Sequence, residues 1–223
     1  MRRFIASLTL FALLVLSTPV LHARDWSAVV RKVHAATVHI TFPMQALNPF
    51  TGEIINLDAS CSGFVINKAK GYVMTAHHCL NNGTTDELKI VDAPAGPMWL
   101  VFADESIDLA IISVPKIKGW DALKPSQTAI RQGQEIGAFG YANGWHRPIF
   151  RAGYVASTSL DLGFPDFPGQ WAVFDGVFVG GMSGGPIFNV KGEVVGVVQI
   201  GTEELGMWRP FSVIYKASKA YWG

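Results

Sequence analysis

Ser183 lies in GGMSGGP (180–186), a lone hydroxyl set among four glycines. Such a stretch serves as an ordinary turn, because glycine adopts the positive φ angles that other residues avoid. It also suits a nucleophile that must face a substrate without a neighbouring side chain in the way. A serine hydroxyl attacks a carbonyl only when a base takes its proton, so the second requirement is a fixed imidazole. VMTAHHCL (73–80) supplies His77 and His78 at the end of an apolar run, beside Cys79. A histidine there is either a hydrogen-bonded core residue or, held rigidly, a general base. The third requirement is a carboxylate to accept the Nδ1 proton and orient the ring. Asp108, at the head of the apolar strand in SIDLAIISV (106–114), fits it, with Asp104 in FADES as the reserve; the bland role for either is a turn or strand-end carboxylate.

The elements that must position these groups are short strands. TVHITF, CSGFVI, GYVMTA, ELKIV, MWLVFA and DLAIISV are rich in Val, Ile and aromatic residues and are separated by Gly, Asn, Asp or Pro turn signals. A second series of six follows: EIGAFGYA, IFRAGYVASTSL, WAVFDGVF, PIFNV, EVVGVVQI and WRPFSVIY. Two sets of six predict an all-β chain of two antiparallel β-barrels, since closure removes exposed sheet edges. The more polar segment 116–134 is expected to connect them over the surface. DWSAVVRKVHAA has Trp26, Val29, Val30 and Val33 at helical spacing, which predicts a short N-terminal helix, and YKASKAYW suits a short C-terminal one. The expected divisions are residues 1–23, 24–125 for a barrel carrying His78 and Asp108, and 126–223 for a barrel carrying Ser183.

Composition removes several function classes. Lys and Arg number 18 against 17 Asp and Glu, with no basic run to track a phosphate backbone, so no nucleic-acid partner is expected. Arg2 and Arg3 precede an apolar run that ends near Leu16, and Ala23 offers a cleavage point, the pattern of a secretory signal; an uncleaved anchor is the other reading. No later segment reaches transmembrane length, so a periplasmic or secreted location is expected, with no membrane association after signal removal. An exported chain can keep its only two cysteines, Cys61 and Cys79, as a disulfide, or bury them as thiols. They lack metal-site spacing, and His22, His34, His39 and His146 form no ligand grouping, so no metal or other cofactor is expected. Trp99, Trp120, Trp145 and Trp171 suit core or rim positions better than a ligand cage.

His, Asp and Ser in that order, the last in G-x-S-G-G-P, resemble the trypsin-like serine proteases with the two-barrel chymotrypsin fold. Thr75-Ala76-His77-His78-Cys79 matches the family's T-A-x-H-C, and Cys61-Ser62-Gly63 its C-x-G. The resemblance covers essentially all of the chain after residue 23. SGFVI, GYVMTAHH, DLAIISV and GQEIGAFGYANGW look most like bacterial HtrA-type (Deg) proteases. The intervals are short, 108 − 78 = 30 and 183 − 108 = 75 residues, and no PDZ module is expected up to Gly223.

That resemblance implies a Cys61–Cys79 disulfide and a triad of His78, Asp108 and Ser183, with His78 chosen over His77 because it immediately precedes the cysteine. It also implies an oxyanion hole formed by the backbone N–H groups of Gly181 and Ser183. The implied activity is cofactor-free hydrolysis of polypeptide substrates. Val177, six residues before the serine, is expected at the base of the primary specificity pocket, with Gln199, Ile200 and Gly201 along its wall. An apolar floor favours small to medium apolar residues at the cleavage site, unless Glu203 or Glu204 turns inward. Two residues depart from the family pattern. Met182 stands where zymogen-activated members carry Asp, so packing, substrate or a partner must order the oxyanion loop. Gln199 stands where many relatives place Ser near the aspartate. A catalytically silent, protease-like binding module is the competing expectation.

Overall fold

The computed structural model describes residues 24–91, 93, 96–115, 119–161, 163, 169–202 and 204–223. The proposed signal, residues 1–23, and Glu203 lie outside the described residues. Among the described residues no helix is long and apolar enough to cross a membrane.

Helix α1 (Ser27–His34) precedes two six-stranded antiparallel sheets. The first holds β1 (Thr37–Leu47), β2 (Ile54–Asn67), β3 (Tyr72–Thr75), β4 (Lys89–Ile90), β5 (Trp99–Asp104) and β6 (Leu109–Ser113), in the order β4-β1-β2-β3-β6-β5. The second holds β7 (Glu135–Gly140), β8 (Ile149–Asp161), β9 (Gln170–Phe174), β10 (Pro186–Asn189), β11 (Val194–Gly201) and β12 (Gly206–Pro210), and it closes as a barrel, β10-β11-β12-β9-β8-β7. Helix α2 (Phe211–Ser218) ends the fold, followed by one 3-10 turn.

The apolar runs are continuous because their strands are buried on both faces. In β2, Val65 points into the core of the first sheet while its neighbours Phe64 and Ile66 enter a second core between the sheets. In β6, Ala110 and Ile112 alternate with Leu109 and Ile111 in the same way. In β11, Val195 and Val198 fill the barrel while Val194 and Val197 meet Phe139, Phe188 and the first sheet's Phe64 in the shared core. The two-residue period of a strand makes this division automatic in β2 and β6, whereas in β11 an irregularity in the pairing with β10 shifts the alternation by one residue. Each Val, Leu, Ile or Phe side chain among these residues contributes roughly 1.5–3 kcal/mol on burial.

Three details differ from the sequence expectation. The first sheet has its six strands in place, but β4 and β5 form no ladder with one another among the described residues, so only the second sheet closes by backbone pairing. The ELKIV run shrinks to two strand residues, since Glu87 takes a positive φ of 62° that interrupts extension. WRPFSVIY is strand only to Pro210; from Phe211 the chain is helical, and the α2 helix starts earlier than YKASKAYW suggests. Pro210 has no N–H for a further ladder bond and is well suited to end the strand.

The connection runs largely exposed over the surface, as expected, but beyond residue 118 it is also tied by hydrogen bonds to both halves of the fold. Asp121 N donates to Ala35 O and Leu123 N to Val65 O, each at 2.9 Å, while Ser126 N donates to Val194 O at 2.8 Å. Leu123 is buried in the shared core. At Leu123 and Ser126, which are buried, the backbone N–H groups need partners, and the two sheets supply them.

Cys61, on β2, and Cys79, after β3, form a disulfide with sequence separation 18. Replacing both by serine should lower unfolding stability by roughly 3 kcal/mol on the loop-entropy account. Urea denaturation of the two proteins measures this; equal midpoints and slopes would refute it.

Candidate active site

Strand β3 ends at Thr75, and a 3-10 turn, His77–Cys79, carries both histidines away from the sheet. The disulfide holds Cys79, and with it the adjacent His78 backbone, against β2. His78 and His77 then diverge. The His78 Nδ1 atom lies 2.7 Å from Asp108 Oδ2, and the His78 backbone N–H donates to Asp108 Oδ1 at 2.9 Å. One carboxylate thus grips both the ring and the main chain of the same residue. The His77 ring faces the Gly83 turn instead.

Asp108 and Asp104 also separate cleanly. Asp104 caps the 3-10 turn Glu105–Ile107, accepting from Ser106 N at 3.0 Å and Ser106 Oγ at 2.6 Å. Asp108 follows that turn in the left-handed region, φ 50°. Such a backbone costs on the order of 1 kcal/mol and persists only where its surroundings hold it. Gln199 helps to do so: its Nε2 donates to Ile107 O at 2.9 Å and to Asp108 O at 2.7 Å. Since both acceptors are carbonyls, the amide orientation is unambiguous.

Ser183 is partly buried between β9 and β10. Its carbonyl receives the Ser62 N–H at 2.8 Å and lies 3.6 Å from Cys79 Sγ. A ring nitrogen of His78 and both disulfide sulfurs fall within 4.8 Å of one another, so His78 and Ser183 flank one disulfide. Those sulfurs are bonded to each other and offer no thiolate to a metal. The Ser183 hydroxyl points to Gln199 O, 3.2 Å away, and makes no hydrogen bond to His78.

The glycine loop before the serine is tied by its carbonyls. Gly180 O accepts from Asn143 N at 2.6 Å, Met182 O from Gly185 N at 2.9 Å, and Gly181 O from Ser62 Oγ at 2.8 Å. The Ser62 hydroxyl in turn accepts from Tyr141 N at 2.8 Å. In a trans peptide the N–H points opposite to the C=O. Fixing Gly180 O and Met182 O therefore fixes the N–H groups of Gly181 and Ser183, and neither donates to an acceptor among the described residues. Gly181 has φ 92° and lies so close to Tyr141 O that a side chain would collide with it. Met182 is fully buried with Phe178, Ala138 and Val198, so an apolar plug anchors the loop.

Around the expected pocket, Val177 and Ile200 are half-buried and Gly201 and Glu204 are exposed. Gln199 is buried, with its side chain turned to Asp108 rather than to a pocket. The sequence reading overlooked Phe178. Its ring stacks on Phe174 with centroids 5.1 Å apart and occupies the space where Gly206 would otherwise carry a Cβ, while its carbonyl abuts Gly201. The signal was the pair of glycines flanking TEEL, which admit a bulky neighbour. Ser62 and Tyr141 were also missed as supports of the loop, as was His39, whose ring stacks on Tyr141 at 4.5 Å and bonds Ser60 Oγ at 2.8 Å. Of the tryptophans, Trp171 is core, whereas Trp99 and Trp145 are exposed.

A trypsin-like peptidase domain profile matches residues 61–197, more than half of the chain. Serine protease HTR4 of Bos taurus is 25% identical over 175 residues, covering 77% of this chain and 36% of that protein. A probable periplasmic serine endoprotease DegP-like of Marinomonas sp. (strain MWYL1) is 31% identical over 143 residues, 61% of this chain and 28% of the relative. The chain thus spans about a third of the length of these relatives. Among solved structures, the HtrA-type protease AlgWS227A with decapeptide superposes with TM-score 0.70 at 17% identity, covering 89% of this chain and 68% of the other, a likeness of fold. By its matched sequence, two-sheet architecture and the residues gathered at their junction, the chain belongs to the trypsin-like peptidase family.

Proposed function

We propose that the chain is an exported serine endopeptidase in which the first sheet, within residues 24–125, supplies His78 and Asp108, and the second, within 126–223, supplies Ser183. The observation that carries this reading is the double grip of Asp108 on His78, through Nδ1 at 2.7 Å and the backbone N–H at 2.9 Å. That arrangement presents Nε2 as the proton acceptor. A rotation about the Ser183 Cα–Cβ bond exchanges staggered positions at little cost and releases the hydroxyl from Gln199 O.

Ser183 Oγ then attacks the substrate carbonyl carbon while His78 Nε2 takes its proton. The C–N bond breaks as that proton passes to the leaving amine, and an acyl ester remains on Ser183. Water attacks the ester, gives a proton to His78, and the proton returns to Ser183 Oγ as the acid departs. Asp108 stays ionised and stabilises the imidazolium. The N–H groups of Gly181 and Ser183, left without internal acceptors, receive the oxyanion; a donor of this kind contributes roughly 3 kcal/mol to lowering the barrier. Phe178 limits the depth of the pocket formed with Val177, Ile200 and Gly201, which favours small to medium apolar residues before the cut. Periplasmic relatives and the N-terminal apolar run together support export or a periplasmic location.

One observation favours a second reading: the Ser183 hydroxyl is bonded to Gln199 O and not to His78, as suits a silent module that only binds polypeptide. A fluorophosphonate probe separates the two. The enzyme should be labelled at Ser183, with labelling lost in Ser183→Ala and His78→Ala and largely kept in His77→Ala; a folded protein that resists the probe is the binding module. Ser62→Ala removes the tie on Gly181 O and should slow labelling about 10-fold or more, in line with loss of oxyanion-hole order. A peptide-library digest should be dominated by Ala, Val and similar residues before the cut, and Phe178→Leu should admit larger ones. A digest dominated by Arg or Lys would contradict the apolar pocket.

A further inference from the structure

Three consecutive carbonyls of the first sheet's aspartate turn are held by two side chains of the second barrel. Arg209, on β12, donates from Nη2 to Ser106 O at 3.3 Å. Gln199, on the neighbouring β11, donates from one nitrogen to Ile107 O and Asp108 O. Strands β11 and β12 are paired, so the two side chains are presented by one rigid piece of barrel. Both are buried, Gln199 at 4% exposure and Arg209 at 2%. Arg209 is itself held: its guanidinium lies 3.8 Å from the Trp171 ring centroid, and Nη1 donates to Gln170 O at 3.1 Å.

A buried guanidinium and a buried amide are costly unless they find acceptors. Here the Gln199 amide and the Arg209 Nη2 atom find theirs across the junction, on the turn that puts Asp108 into its left-handed conformation, while Arg209 Nη1 is satisfied within its own barrel. The Gln199 Oε1 atom has no hydrogen-bond partner among the described residues, so the side-chain hydrogen bonds of Gln199 are those its NH2 group makes to the turn. The same residue's main-chain carbonyl accepts the Ser183 hydroxyl at 3.2 Å. Gln199 therefore touches the aspartate through its side chain and the serine through its backbone.

We propose that Gln199 and Arg209 are positioning residues: a two-donor clamp from the second barrel that sets the backbone of Asp108, and through it the orientation of the His78 ring. The clamp acts across the junction, so it aligns the carboxylate of one sheet with the serine of the other. It replaces a direct side-chain bond to the carboxylate by a hold on the main chain beneath it. For this role Asp108 must be the carboxylate that orients His78, as proposed above.

Gln199→Met tests the clamp with an unbranched, apolar side chain of similar size, which keeps the core filled but removes the donor. The folded variant, checked by circular dichroism and the intact disulfide, should lose about 100-fold in kcat with KM changed less than about threefold, the pattern of a displaced catalytic group. In addition, the far-downfield proton resonance of the His78 Nδ1–Asp108 hydrogen bond should shift or broaden away. Should the variant keep both the wild-type kcat and the resonance, the clamp is overturned. If the parent protein itself lacks hydrolytic activity, the enzyme reading fails, and the resonance alone still decides whether Gln199 sets Asp108. Arg209→Lys, which retains charge but not the fork, should show the same two changes; wild-type values for both would remove Arg209 from the clamp.

Discussion

The hydrogen bond from Ser62 N–H to Ser183 O, 2.8 Å long, joins the middle of the first sheet to the loop that bears the serine. Around it, the junction is built from backbone groups that would be stranded if the sheets separated. The Ser62 hydroxyl takes Gly181 O and Tyr141 N across the junction, while within the first sheet the Ser62 carbonyl accepts Thr75 Oγ1 at 2.8 Å. With Ser62 fully buried, each of these bonds forms out of water, where leaving a partner unpaired costs about 1–3 kcal/mol. The geometry of the glycine loop is therefore enforced by hydrogen-bond accounting rather than by local stiffness. Gln199 and Arg209 apply the same logic from the opposite side.

Met182 places a different kind of force beneath the loop. A buried carboxylate at this position would need a cation brought to it, because an unpaired charge inside a protein is severely disfavoured. A fully buried methionine asks only for packing, which Phe178, Ala138 and Val198 provide. The loop is thus ordered by the barrel core itself, and its order does not require a freed amino terminus. The same cluster contains Phe178, which therefore packs as one unit with the methionine that anchors the loop.

Much of this was open to inspection in the amino-acid sequence. Strand identities followed from composition and turn residues, and even the doubly buried strands, whose apolar runs lack alternation, could be placed by their length. Asp104 could have been set aside by its own neighbourhood, since Asp-Glu-Ser is a local capping pattern and the side chain does accept from Ser106. The exact end of β12 and the closure of the first sheet were not open in this way, because they depend on whether a partner strand is present to receive each N–H.

By itself the sequence determined the chemistry available: one hydroxyl in a glycine frame, an imidazole beside a cysteine, a carboxylate heading a strand, and enough two-faced apolar runs for two sheets. Only the tertiary structure decided that Asp108 takes His78 by both ring and main chain, that Gln199 turns to the aspartate instead of a pocket, and that the connection beyond residue 118 is stitched to both sheets. The physical reason is range. Propensity and spacing act over a few residues, whereas Ser62 meets Gly181 at a separation of 119 residues and Gln199 meets Asp108 at 91, and such bonds exist only once burial has removed the water that would otherwise compete for them.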